Sequence, residues 1–147
     1  MGLSCGNASA VPEFSTTLNV DSRAGQVLVH VTIQNRGSTT VYIPRALAGD
    51  AQPLGKTFTL TAGPGATPVD YTGRMVKRGP IGPDDFIAVK PRATLRHTLD
   101  IGNSYAFLPG AHQYTLQYAG ATLTDVRDMA RVGPPLQVSA QFTHTGE

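Results

Sequence analysis

Along residues 26–34, Val27, Val29, Val31 and Ile33 alternate with Leu28, His30, Thr32 and Gln34. Successive side chains of a strand leave opposite faces, so this repeat of two predicts a strand with one β-branched face buried and the other largely solvated. Residues 35–38, Asn-Arg-Gly-Ser, read as a turn, and 40–43 read as the partner strand. Upstream, Phe14, Thr16, Leu18 and Val20 repeat the alternation, and residues 21–25 read as the loop that closes it. Further strands are predicted at 57–61, 69–71, 86–89, 94–101, 113–118 and 136–142. Gly/Pro turns separate them, at Gly63-Pro-Gly, Gly79-Pro-Ile-Gly-Pro, Lys90-Pro-Arg, Leu108-Pro-Gly and Gly133-Pro-Pro. Short strands at such spacing, punctuated by turn chemistry, predict an antiparallel sandwich rather than a parallel sheet with crossover helices. Residues 123–131 alone have some helical character, and they are expected to form a turn or one loose helical segment.

Composition agrees with that picture and narrows it. A chain of 147 residues is long enough to enclose a core without disulfides or a metal. Nothing in the pattern divides it, so we read a flexible arm over 1–13 and a single domain over 14–147. The 16 Gly and 11 Pro favour turn-rich β structure. Twelve Lys and Arg against ten Asp and Glu leave a net charge of only +2, too little clustered cation for a nucleic-acid partner. No apolar run reaches the length of a membrane span. The single cysteine, Cys5, excludes an internal disulfide and a four-thiolate zinc site. A free thiol by itself leans towards a reducing compartment.

The richest motifs lie in residues 69–118: Tyr71-Thr-Gly-Arg-Met-Val-Lys-Arg-Gly-Pro, Asp84-Asp-Phe-Ile, Asp100, Tyr105-Ala-Phe, Gly110 and Tyr114. In that order and roughly that spacing they resemble the non-catalytic N-terminal domain that precedes the zinc-protease domain of deuterolysin-like (aspzincin, M35) metallopeptidases. The likeness runs over about residues 27–142. It implies an immunoglobulin-like antiparallel sandwich of about seven to nine strands. It also implies a domain with no catalytic residue, cofactor or metal, whose partner is a protein: a zinc metallopeptidase that it inhibits or helps to fold. The expected location is then secreted or periplasmic, with a leader absent from this chain. The same sandwich would also suit a structural or adhesive module of a secreted or cell-surface protein, because fold alone does not choose a function.

Within this frame, the loop 73–85 is the candidate recognition element. Arg74, Lys77 and Arg78 precede Gly79-Pro-Ile-Gly-Pro, and Asp84 and Asp85 follow it, in what should be exposed connecting backbone. The competing reading pairs Lys77 or Arg78 with Asp84 or Asp85 as an ordinary surface contact worth under about 1 kcal/mol. Tyr105, Gly110 and Tyr114 read as architecture, with Tyr114 placed to form a tyrosine corner. Cys5 is a candidate zinc-blocking thiol, since a thiolate in an N-terminal arm can fill the open position of a catalytic zinc. The chain has no His-Glu-x-x-His helix, Gly-x-Ser-x-Gly elbow or phosphate-cradling loop. His30, His97, His112 and His144 match no common metal spacing, and His30 and His97 are expected to face solvent from their strands.

Overall fold

The computed structural model describes residues 14–23, 25–49, 57–75, 82–128 and 130–146. They form nine strands: β1 (Phe14–Arg23), β2 (Gln26–Asn35), β3 (Val41–Pro44), β4 (Thr59–Ala62), β5 (Thr67–Pro68), β6 (Phe86–Val89), β7 (Thr94–Asp100), β8 (Gly110–Leu123) and β9 (Val132–Gly146). One helical turn, α1 (Arg45–Ala48), and one 3₁₀ turn over Pro83–Asp85 interrupt them. The strands make an all-β antiparallel sandwich. One sheet has the order β1-β2-β7; the other runs β5-β4-β8-β3-β6, with β9 on the remaining edge of β8. In immunoglobulin terms β1, β2 and β7 stand for strands A, B and E, and β9, β8, β3 and β6 for G, F, C and C′. The β4–β5 hairpin lies in the long connection between β3 and β6 and pairs with the first half of β8, from Thr59↔Gln117 to Ala62↔Tyr114.

The core is built from the inner faces of both sheets. Val27, Val29, Val31 and Ile33 are fully buried, as the alternation of β2 requires, and they meet Leu60, Tyr114, Leu116 and Leu136 from the opposite sheet in one cluster. Tyr114 stacks on Phe142 at 5.4 Å between centroids and meets Phe107 edge-on at 5.2 Å. β1 also lies against β9 without sharing a ladder with it, and Ser22 Oγ sits 2.6 Å from the buried His144 Nδ1 across that seam.

Three segments differ from the sequence expectation, the first being 40–43, which is a strand but pairs with β6 and β8 in the other sheet and not with β2, since the chain crosses between sheets after Asn35. Residues 21–23 continue β1 instead of forming a loop, because Asp21, Ser22 and Arg23 pair in register with Leu28, Val27 and Gln26 and the turn is correspondingly short. Residues 69–71 are not a strand. Val69 donates its N–H to Leu60 O at 2.9 Å, and Tyr71 makes a single bridge to Tyr105, so the backbone bonds are taken up without a ladder. Residues 124–128 and 130–131 form turns, one of the two outcomes expected there: Asp125 Oδ1 accepts the Arg127 N–H and Asp128 Oδ1 the Ala130 N–H, each at 3.0 Å. Such short carboxylates offer the backbone an alternative to helical bonding.

The crossing from β2 to the other sheet is held by one side chain. Asn35 is only 2% exposed. Its Nδ2 donates to Thr39 O at 2.8 Å and to Val89 O at 2.9 Å, and its Oδ1 accepts the Gly37 N–H at 3.0 Å. Its own N–H donates to Ala93 O at 3.0 Å. One amide thereby satisfies the turn leaving β2 and the last residue of β6, and stops both from carrying unpaired polar groups inside. Replacing it by a side chain of similar size without polar atoms, Asn35→Leu, strands two carbonyls and one N–H. We expect a loss of about 3 kcal/mol in urea unfolding with an unchanged m-value. A loss below about 1 kcal/mol would show that the ladders alone hold this junction.

Candidate protein-interaction site

The motif Asp70-Tyr-Thr-Gly is docked backbone to backbone on the segment before β8. Asp70 O accepts the Ala106 N–H at 2.9 Å, and Ser104 O accepts the N–H groups of both Thr72 (2.8 Å) and Gly73 (3.1 Å). The approach at Gly73 is close enough to demand glycine: a Cβ there would lie 2.9 Å from the Tyr71 hydroxyl and 3.0 Å from Ser104 Cα. Tyr71 packs edge-on against Tyr105 at 5.3 Å and its hydroxyl donates to Arg74 O, which fixes where the chain leaves the body. Burial pushes the Tyr71 phenol above its usual range, and the Arg74 charge beside it opposes that shift.

Tyr105 anchors this platform in turn. Its hydroxyl donates to Phe58 O at 2.8 Å and accepts the Phe58 N–H at 3.0 Å, so the phenol substitutes for a neighbouring strand. Tyr114 performs a related task six residues downstream of Leu108, whose N–H it accepts at 3.0 Å. Gly110, with φ of +83°, turns the chain between the two in a conformation that favours glycine.

The second foot of the loop rests on the other side of the connection. Asp85 Oδ2 accepts the Gly82 N–H at 2.9 Å and the Asp85 N–H returns to Gly82 O at 3.0 Å, closing the 3₁₀ turn. Arg45 of α1 donates its Nε to Asp84 O at 2.9 Å. Of the sequence-derived candidates, Arg74 is exposed at the first foot, Asp84 is exposed at the second, and Asp85 is half-buried in its turn. Lys77 and Arg78 lie outside the described residues, as does any pairing of theirs with Asp84 or Asp85. Cys5 also lies outside them.

Several contributors were not singled out by sequence. Met75 is 77% exposed beside Arg74; an apolar residue within a run of cations was its only signal. Arg45 bears no sequence sign of its role, because its partner is 39 positions away. His97 departs from the expectation of a solvent-facing residue: its parity with Leu95 and Leu99 puts it on the inner face of β7, half-buried. His30 is on the outer face, with Nδ1 2.9 Å from Thr98 Oγ1. Among the described residues no group of three or more His, Cys, Asp and Glu gathers as a metal site. No family model and no curated protein sequence matches the chain.

The Tyr105 clasp should show itself in alkali. Burial pushes this phenol up to about 12 from 10.0, partly opposed by its bond to the Phe58 backbone. A raised pKa means that the folded state prefers the neutral phenol. The associated stability is therefore complete below pH 10 and is lost as pH climbs through about 12. We expect the urea midpoint of the native protein to fall over that window. Tyr105→Phe should lie lower at neutral pH, because the Phe58 groups lose their partner, but should have a flatter alkaline limb; equal slopes would show that another group governs alkaline unfolding.

Proposed function

We propose that this chain is a non-catalytic protein-binding domain that presents the loop 73–85 to a zinc metallopeptidase, as its inhibitor or folding assistant. The observation that carries the reading is the anchoring of both feet: three backbone hydrogen bonds and a tyrosine hydroxyl at the first, a side-chain-closed turn and the Arg45 guanidinium at the second. Fixing the ends of a recognition loop lowers the entropy lost when it meets a partner. Met75 adds a flexible apolar anchor at the exit from the first foot, with Arg74 alongside it for a carboxylate or carbonyl. The resemblance of the Tyr71 to Tyr114 motifs to the domain preceding aspzincin-type proteases supplies the class of partner. The mode of action would be steric, with the loop laid across the substrate cleft.

Titrating the protein into an aspzincin-type metallopeptidase, with cleavage of a fluorogenic peptide as the readout, tests the proposal. Inhibition should saturate at one equivalent. The pair Arg74→Ala and Met75→Ala should weaken it at least about tenfold, equivalent to about 1.4 kcal/mol of binding, and leave the Tm unchanged because both side chains are exposed. Full protease activity in the presence of a micromolar excess, together with an unchanged yield of active protease on refolding, would reject it.

A further inference from the structure

The β8–β9 ladder brings together two histidines that the sequence keeps apart. His112 and His144 are direct partners in its register, one step outward on the same face from the pair Tyr114↔Phe142. Directly opposed residues of an antiparallel pair project from one face, with Cβ atoms about 4.5–5.5 Å apart. That face is the inner one, since Tyr114 and Phe142 are both buried and their rings stack at 5.4 Å. His112 and His144 are therefore neighbours at the end of the sandwich, just inside the last pair of the ladder, Gly110↔Gly146.

The bonds these rings already make decide which nitrogens remain. His112 Nε2 lies 2.9 Å from Pro109 O. A carbonyl only accepts, so Nε2 carries the proton and Nδ1 of the neutral ring holds the lone pair. His144 Nδ1 lies 2.6 Å from Ser22 Oγ, a hydroxyl able to accept from it, and Nε2 then holds the lone pair of that ring. A backbone carbonyl on one ring nitrogen is a usual outer partner of a metal-ligating imidazole, fixing its tautomer and orientation. Among the described residues, Thr16 Oγ1 is the buried side-chain polar atom without a partner, so the two lone-pair nitrogens are not sealed in the core. Phe107 lies 4.9 Å from the His144 ring and Tyr114 6.4 Å from that of His112, between centroids, which gives the pair an aromatic wall on its inner side. Neither β8 nor β9 contains Asp, Glu, Lys or Arg, so the donors that the two strands offer here are imidazole nitrogens.

We propose that His112 and His144 form a two-imidazole site for a divalent transition ion of the zinc or copper class, with water completing its shell. Imidazole suits those ions, whereas Mg²⁺ and Ca²⁺ select oxygen ligands. No group of three or more His, Cys, Asp and Glu gathers among the described residues, so the site is an open one with positions left for water. The unfolded chain does not hold the two rings together, and an ion bound there stabilises the fold by mass action. The site is independent of the loop 73–85 and of the partner proposed for it.

Calorimetric titration of Zn²⁺ into the full chain tests this, with Cys5→Ser in every sample to remove a competing thiolate. One equivalent should bind and raise the Tm, EDTA should reverse both effects, and Mg²⁺ should produce neither. In NMR spectra of the imidazole nitrogens, the His112 and His144 rings should shift together while those of His30 and His97 stay in place. His112→Gln, at a half-buried position that tolerates exchange, should cost at least as much affinity as loss of an outer partner does, about tenfold. His30→Gln, on the outer face of the other sheet, should leave binding unchanged. Absence of heat and of ring shifts in excess Zn²⁺ overturns the proposal. So does binding that survives His112→Gln, an equal loss with His30→Gln, or a response confined to one of the two rings.

Discussion

Everything in this sandwich depends on how the chain is allowed to leave one sheet for the other without abandoning hydrogen bonds in the interior. At the end of β2 the backbone must stop pairing, turn and cross. Asn35 and Val89 are buried there, so the polar groups freed beside them have to be met from within. Asn35 does this with an amide that has donors and acceptor on one rigid plane, reaching Thr39 O, Val89 O and the Gly37 N–H together. No apolar side chain could fill the same volume without leaving those groups unpaired. With the crossing held, the valine face of β2 is set against β8, and β3 and β6 are held together at Val41↔Val89.

Tyrosine hydroxyls solve the same problem at the opposite end. The segment before β4 and the segment before β8 have no ladder partner where they need one, and Tyr105 and Tyr114 supply bonds through phenols whose rings belong to the core. This mode of closure leaves a backbone platform, Ser104 to Ala106, on which the Asp70-Tyr-Thr-Gly motif is seated. Frame and presentation are thereby divided: burial and satisfied polar groups build the frame, and exposed side chains such as Arg74, Met75 and Asp84 emerge from points that the frame fixes.

Much of the frame was legible because period-two alternation is a local property. Residues 26–34 are strand nearly to the residue for that reason. Where a strand is decided by its partner, local reading fails: Asp21, Ser22 and Arg23 look like loop residues and are strand because 26–28 lie opposite them. The reverse holds for 69–71, whose β-prone residues meet an irregular neighbour and form one bridge. Asp125 and Asp128 convert a weakly helical pattern into turns through bonds that helix propensity alone does not register. For the candidate site, the exposure of Arg74 and Asp84 was legible from their place in connecting backbone. Its anchoring was not, since the Ser104 platform and Arg45 come from distant parts of the chain.

The Tyr105 clasp also has a temporal side. Its two bonds join residues 47 positions apart, and the Asn35 amide reaches 54 positions to Val89. Contacts at such separation must be reached against the entropy of large unclosed loops, which places a domain of this kind among the slower folders. The platform under Tyr71 forms only when the chain has been made as far as Ser104–Ala106 and Tyr105 has found Phe58. Until then Thr72 and Gly73 lack the Ser104 carbonyl that holds them. The exposed side chains of Arg74 and Met75 therefore take their places beside this platform only in a domain that has finished folding, so the slow closure acts as a clock on when that surface exists.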